Sequence, residues 1–141
     1  MTATSKATTL WRGGLADGSG TTALGSKVAT VSVDWKARSE GSADTTTPEE
    51  LLAAAHASCY AMALSHELGG NDTPPEEVDV AVEVDFVPGE GVKESRLSVT
   101  AKVPGISDDE FQRIANAAKE GCPISQALAG VTITLTSATL A

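Results

Sequence analysis

The two cysteines of the chain, Cys59 and Cys122, are its most chemically versatile residues. Gly121-Cys122-Pro123 predicts that Cys122 is the N-cap of a short helix that runs through Leu128, since proline favours the first helical position. The free N–H groups at a helix N-terminus favour a thiolate. The local sequence therefore ranks Cys122 as the more reactive cysteine, although a simple capping role is the alternative.

Cys59 lies in the middle of a predicted long helix, where a lone cysteine most often packs as a small buried hydrophobe. His56 precedes it by one turn, so the imidazole could activate the thiol or share a metal ion with it. A core histidine bonded to a backbone carbonyl is the simpler interpretation. A metal site formed by His56, Cys59 and Cys122 remains an alternative, although the chain has no CxxC or HExxH motif.

Two charged residues are further candidates for a site. Glu50 has a local role, because it stands three positions after Thr47 in a capping box. Glu49 has no such role beyond a favourable interaction with the helix dipole, so it is free to serve a site. Arg38 follows an apolar strand, and a surface pair with Glu40 is the simplest interpretation of its position.

A long central helix must position Cys59. Thr47-Pro48 is a strong helix start, and Gly69-Gly70 predicts a stop after about Leu68. The segment between is rich in alanine and carries no charge from Leu51 to Ser65. A helix that is apolar nearly all round is typical of a buried position, and its small side chains allow another backbone, such as that of a second copy, to approach closely.

The remaining elements predict an α+β fold. Alternating apolar and polar residues indicate strands, including an antiparallel hairpin that turns at Pro88-Gly89. Ser107 with Glu110 predicts the start of a helix that ends at about Glu120. The predicted strands are Thr8–Arg12, Gly20–Leu24, Val28–Trp35, Val78–Phe86, Arg96–Val103 and Val131–Leu135.

Composition restricts the class of protein. The 141 residues predict one domain, 1–141. Ten Lys and Arg against 19 Asp and Glu give a formal charge of −9, which argues against nucleic acid or an anionic membrane as partner. No segment is apolar enough to predict a membrane span. No apolar stretch follows Lys6, so we expect no secretory signal and a cytoplasmic protein with reduced thiols.

Several motifs together resemble one known family, the OsmC/Ohr family of osmotically inducible protein C and organic hydroperoxide resistance proteins. The helix motif Thr47-Pro48-Glu49-Glu50-Leu51-Leu52-Ala53-Ala54-Ala55-His56-Ala57-Ser58-Cys59 and the motif Gly121-Cys122-Pro123-Ile124-Ser125 carry the resemblance. Trp11, Arg38-x-Glu40-Gly41 and Val103-Pro104-Gly105-Ile106 also match the OsmC branch. The resemblance covers nearly the whole chain.

The resemblance implies a thiol peroxidase that reduces organic hydroperoxides to alcohols with no metal or other cofactor. By position, Cys59 matches the peroxidatic cysteine and Cys122 the resolving cysteine, which reverses the ranking from local sequence. Arg38 and Glu49 match the pair that organises the reactive thiolate. An external dithiol would reduce the resulting disulfide. The family fold implies antiparallel sheets around the buried central helix, in an intertwined homodimer with sites at the subunit interface.

Two alternatives stay open beside the peroxidase. One is a non-catalytic binder of small apolar ligands on the same fold, and the other is the metal site described above. A further question is whether Glu49 serves the site of its own chain or that of its partner. Glu49 and Cys59 are ten positions apart on one helix, which is about 15 Å along its axis. Two antiparallel helices about a twofold axis would bring each Glu49 towards the partner's Cys59, whereas a folded-back Arg38 loop would keep the site within one chain.

Overall fold

The structure, a computed structural model, describes all residues from Met1 to Ala141 and confirms the mixed α+β class. Ten elements alternate along the chain, and they group into two compact units, Met1–Leu51 and Leu52–Ala141. The elements are β1 (Ala7–Arg12), β2 (Ser19–Leu24), β3 (Thr30–Val33), α1 (Trp35–Glu40), α2 (Pro48–Gly70), β4 (Glu77–Val87), β5 (Gly91–Lys102), α3 (Asp108–Gly121), α4 (Pro123–Ala127) and β6 (Thr132–Leu140).

The first unit is a three-stranded antiparallel sheet in the order β1-β2-β3, followed by α1 and the first residues of α2. Few of its side chains are buried, and Ala37 is the one apolar side chain among them. Every residue of β1 is exposed. This unit therefore has almost no hydrophobic core of its own.

The helix α1 was not predicted, and the assignment of Trp35 to the third strand was wrong. The strand ends at Val33, and Asp34 caps the new helix by accepting a hydrogen bond from the N–H of Ala37 at 2.7 Å. Gly41, with a φ of 87°, ends the helix. The alternation of apolar and polar residues continues in the sequence through Asp34 to Trp35, and it therefore predicted a longer strand. Asp34 favours the N-cap of a helix, and this cap sets the local structure.

The second unit packs α2 and α3 on a mixed sheet in the order β4-β5-β6. Strands β4 and β5 form the predicted hairpin, but β6 runs parallel to β5 rather than antiparallel. The intervening helices α3 and α4 form a crossover that returns the chain to the same end of the sheet, as a parallel connection requires. The buried core comprises Tyr60, Leu64, Leu68, Leu97, Val99, Ala101, Phe111, Ile114, Ala115, Ala118 and Cys122.

Helix α2 spans 23 residues and begins and ends close to the predicted positions. The N–H of Glu50 donates to the Thr47 hydroxyl at 3.0 Å, as in a capping box. The Glu50 carboxylate accepts a hydrogen bond from Thr46 instead of completing the box. The burial predicted for the whole helix is found on one side only, because Ala54, Ser58 and Met62 remain exposed in the single chain.

No helix combines the length and the apolar character that crossing a membrane would require.

Candidate active site

The two cysteines meet in the second unit. Cys59 projects from the middle of α2 and is partly exposed, whereas Cys122 is fully buried at the N-cap of α4, as its sequence predicted. Both are free thiols, and the thiol of Cys59 interacts directly with the sulphur of Cys122. A reachable thiol with a sheltered second thiol against it can form a disulfide once the first is oxidised.

The surroundings act in opposite directions on the two thiols. Burial and the neighbouring Cys122 raise the pKa of Cys59, and the N–H of Ile124 only partly offsets them. Burial also disfavours the Cys122 thiolate, but the N–H groups of Ser125 and Ile124, the Cys59 thiol and the Ser125 hydroxyl outweigh it and lower the pKa of Cys122. Within the second unit, the negative charge is therefore best accommodated on Cys122.

His56 lies between two buried serines and does not bond to a backbone carbonyl as the simpler interpretation expected. Its Nδ1 is 2.7 Å from the Oγ of Ser95 on β5, and its Nε2 is 2.8 Å from the Oγ of Ser125 on α4. The imidazole is fully buried, and burial lowers its pKa, so the ring is held neutral. Because both nitrogens bond to hydroxyls, neither is directed at a metal shared with the cysteines, and no cluster of three metal-ligating side chains is found.

Arg38 and Glu49 form a close ion pair within the first unit. The Arg38 Nε and Nη2 both donate to the Glu49 carboxylate, at 3.1 and 2.9 Å to Oε1. Glu49 is buried, while about a third of the Arg38 side chain remains exposed. Such two-point pairing fixes the plane of the guanidinium. It therefore presents a permanent positive charge in a fixed orientation.

An apolar cavity of about 300 Å³ adjoins Arg38 in the first unit. Leu15 in its wall is 62% exposed. Its lining residues are Thr9, Trp11, Leu15, Thr22, Val33, Asp34, Trp35, Arg38, Pro48 and Leu51. A cavity of this composition, with one cation in its wall, suits a small apolar molecule that bears a polar end.

Comparison with known proteins agrees with this arrangement of motifs. The family model described as "OsmC-like protein" matches residues 39–136. This range includes both cysteines, His56 and Glu49. The chain is 36% identical over 132 residues to the peroxiredoxin OsmC of Escherichia coli strain K12, covering 91% of this chain and 92% of that protein.

This chain belongs to the OsmC-like protein family.

Solved structures of OsmC-like proteins have the same fold. An organic hydroperoxide resistance protein OsmC from Legionella pneumophila matches with a TM-score of 0.70 and 25% identity, over 97% of both chains. The organic hydroperoxide resistance protein OhrB of Bacillus subtilis matches with a TM-score of 0.66 and 27% identity, over 99% of this chain and 98% of that one. The family resemblance inferred from the sequence motifs is thus confirmed, and peroxidase-type function is a property of the family.

Two polar residues of the site were missed from the sequence. Ser95 lies 39 positions from His56 and Ser125 lies 69 positions from it, so only the folded chain joins them. Ser125 did carry one signal, since it stands three positions after the predicted N-cap Cys122 and such a residue can reach back to the cap. Nothing in the local sequence around Ser95 distinguishes it from the other polar residues of β5.

Proposed function

We propose that this chain is a thiol peroxidase that reduces organic hydroperoxides, with Cys59 as the peroxidatic and Cys122 as the resolving cysteine. The observation that carries the proposal is the contact between a partly exposed Cys59 and a buried Cys122, each in its family motif. The difference in exposure supports this division of roles. A hydroperoxide can reach Cys59, whereas Cys122 is sheltered from solvent.

The proposed reaction has two chemical steps. The Cys59 thiolate attacks the outer peroxide oxygen, the O–O bond breaks, and the departing alkoxide takes up a proton and leaves as an alcohol. Cys59 is then a sulfenic acid. The Cys122 thiolate attacks that sulphur, the S–S bond forms, the S–O bond breaks, and hydroxide leaves and is protonated to water. An external dithiol reduces the disulfide by exchange and becomes a disulfide itself.

Cys59 needs a cation to act first, because its surroundings in the second unit raise its pKa. The Arg38–Glu49 pair is the group we assign to this task. A guanidinium beside Cys59 would favour the thiolate and would stabilise the alkoxide as it departs. Glu49 would act as a positioning residue, since it holds the guanidinium in one orientation.

We further propose that the pair acts on Cys59 of a partner chain in a homodimer. Glu49 and Cys59 are ten residues apart on the continuous helix α2, about 15 Å along its axis. A second copy of the chain would also cover the exposed small side chains of α2 and the exposed apolar side chains Leu10 and Leu15 of the first unit. Pairing of two copies through these exposed side chains would explain both their exposure and the distance between Glu49 and Cys59 within one chain.

The apolar cavity beside Arg38 supports an organic substrate rather than hydrogen peroxide. Its walls would hold an alkyl group, and Arg38 would face the peroxide end. This cavity also gives support to the alternative function, a binder of small apolar ligands whose cysteines take no part. The two functions differ in what happens to the thiols.

The direct test is to count free thiols before and after one equivalent of an organic hydroperoxide is added. The peroxidase should lose two thiols per chain, and Cys59→Ser should lose none. Cys122→Ser should react once and leave a sulfenic acid that a dimedone-type probe traps. Ser98→Ala, on the face of β5 opposite the buried Ser95, is the matched control and should behave as the wild type.

Each other result favours a different function. Retention of both thiols by the wild type would support the ligand binder, and protection of the thiols by zinc would support the metal site. If Cys122→Ser alone blocked the first oxidation, the roles of the two cysteines would be reversed.

A further inference from the structure

The buried polar chain formed by Ser95, His56 and Ser125, here called the Ser–His–Ser chain, leads to Cys122. Its two hydrogen bonds measure 2.7 and 2.8 Å. Ser95 and His56 are fully buried, and no buried polar side-chain atom in the structure lacks a partner. The mechanism above gives these residues no role, although a fully satisfied buried polar chain fixes the orientation of every group in it.

Counting protons leaves only two arrangements for the Ser–His–Ser chain. A neutral imidazole has one N–H donor and one acceptor nitrogen, and each serine has a single proton to donate. In the first arrangement Ser95 donates to Nδ1, Nε2–H donates to Ser125, and the Ser125 proton is left for another acceptor. In the second arrangement, Nδ1–H donates to Ser95, and the Ser125 hydroxyl donates its proton to Nε2.

The geometry of α4 favours the first arrangement. Cys122 is the N-cap of this helix and Ser125 is its third residue, so the two lie about one turn apart on α4. The Ser125 hydroxyl interacts with the Cys122 sulphur, and the N–H groups of Ile124 and Ser125 favour negative charge on the same atom. A sulphur surrounded by donors is an acceptor for the Ser125 proton.

We propose that His56, held as its Nε2–H tautomer by Ser95, turns the hydroxyl of Ser125 towards Cys122 and thereby gives the sulphur of the resolving cysteine a hydrogen-bond donor. His56 is in this view a positioning residue that acts through Ser125 and does not touch the substrate. Only the resolving role of Cys122 rests on the proposed function. The direction of the hydrogen bonds and their effect on the Cys122 thiol can be tested without any peroxide.

Nitrogen NMR of the imidazoles tests the tautomer. The chain has two histidines, so the His66→Gln variant identifies the signals of His56. We expect Nε2 to carry the proton and Nδ1 to be a hydrogen-bonded acceptor in the reduced protein. The opposite tautomer would overturn the proposal, because Ser125 would then donate to His56 and not to Cys122.

Thiol titration tests the effect on Cys122. In the Cys59→Ser background only one cysteine remains, and its thiolate can be followed by ultraviolet absorbance without a probe having to reach the buried sulphur. We expect Ser125→Ala to raise the pKa of Cys122 and Ser95→Ala to raise it less. Ser98→Ala is the matched control, because Ser98 lies on the opposite face of β5 from the buried Ser95 and should change nothing.

Single-turnover kinetics connect the titration with the reaction. In the protein with both cysteines, Ser125→Ala should slow disulfide closure roughly tenfold at neutral pH, the effect of losing one hydrogen bond to a charged group. It should not slow the first oxidation, because Cys122 raises the pKa of Cys59 and a less ionised Cys122 would raise it less. An unchanged Cys122 pKa in Ser125→Ala would refute the Ser–His–Ser proposal, whereas a raised pKa with no disulfide formed in any variant would refute the proposed function alone.

Discussion

The two compact units of the chain differ in how many apolar side chains they bury. The second unit, Leu52–Ala141, encloses a core in which Tyr60, Leu97 and Phe111 are inaccessible to solvent. The first unit, Met1–Leu51, buries the carboxylate of Glu49 but leaves Leu10 and Leu15 more than half exposed. The second unit therefore has a hydrophobic core of its own, whereas the first leaves large apolar side chains accessible to solvent.

The chemistry is divided in the same way. The second unit holds both thiols and the neutral Ser–His–Ser chain, and it gives Cys59 no cation. The first unit holds the cation, fixed by Glu49 in the wall of an apolar cavity. Under the proposed mechanism, neither unit alone holds both the thiols and the cation. This is the reason we propose that two chains complete each other's sites.

Mixed dimers test that exchange and give the largest expected effect. Glu49→Gln and Cys59→Ser chains should each be inactive alone. If Glu49 acts across the dimer, unfolding them together and refolding should restore about a quarter of wild-type activity, because half of the dimers contain one intact site out of two. Peroxide turnover by the refolded mixture is the measurement.

Two controls accompany the mixed dimers. Wild-type protein must survive the same refolding, and sedimentation must give about twice the chain mass of 14.3 kDa. A mixture as inactive as its parents, with both controls satisfied, would show that the site is built within one chain.

Two alanine substitutions compare the energetic effect of burial in the second unit with that in the first. Phe111→Ala should lower the free energy of unfolding by about 3–5 kcal/mol, since it leaves a cavity in the core. Leu15→Ala should cost less than about 0.5 kcal/mol if its side chain stays as exposed as in the single chain. We expect more than about 1 kcal/mol, because we propose that a second copy covers it. Urea unfolding at fixed protein concentration measures both variants.

Local signals allowed the long elements to be predicted, but not the contacts between them. Thr47-Pro48 and the glycines at the end of α2 set its bounds, and Pro123 marked Cys122 as an N-cap. Helix α1 was missed because Trp35 continued the alternation of the preceding strand. The parallel pairing of β6 was missed because register between distant strands depends on the crossover, and that information is not local.

The candidate site could be predicted only where its residues belong to family motifs. The motifs pointed to the association of Arg38 with Glu49 and of Cys59 with Cys122, and the structure brings each of these pairs together. The partners of His56 could not be predicted, because they come from β5 and α4 and meet only in the folded core. Local sequence also explains why Cys122 is the better thiolate within the second unit, as its position at the N-cap indicated.

The smallest predicted effect is a pH dependence of stability that arises in the second unit. Burial lowers the pKa of His56 from its ordinary value of 6.5, so the folded chain holds the ring neutral where the unfolded chain would protonate it. Between these two pKa values the unfolded state binds the extra proton. The stabilisation is therefore complete above pH 6.5 and is lost as the pH falls below it, with a slope of up to about 1.4 kcal/mol per pH unit.

Unfolding by urea between about pH 7.5 and pH 5.5 measures this slope, because ordinary carboxylates remain ionised in that range. His56→Gln keeps an amide donor and acceptor for the two serines and removes the titrating group, so its stability should vary less with pH than that of the wild type. The matched control is His66→Gln, which removes the exposed histidine and should keep the wild-type slope. If His66→Gln flattened the slope and His56→Gln did not, the titrating group would lie outside the core. The buried imidazole of the second unit would then not be the group that the fold holds neutral.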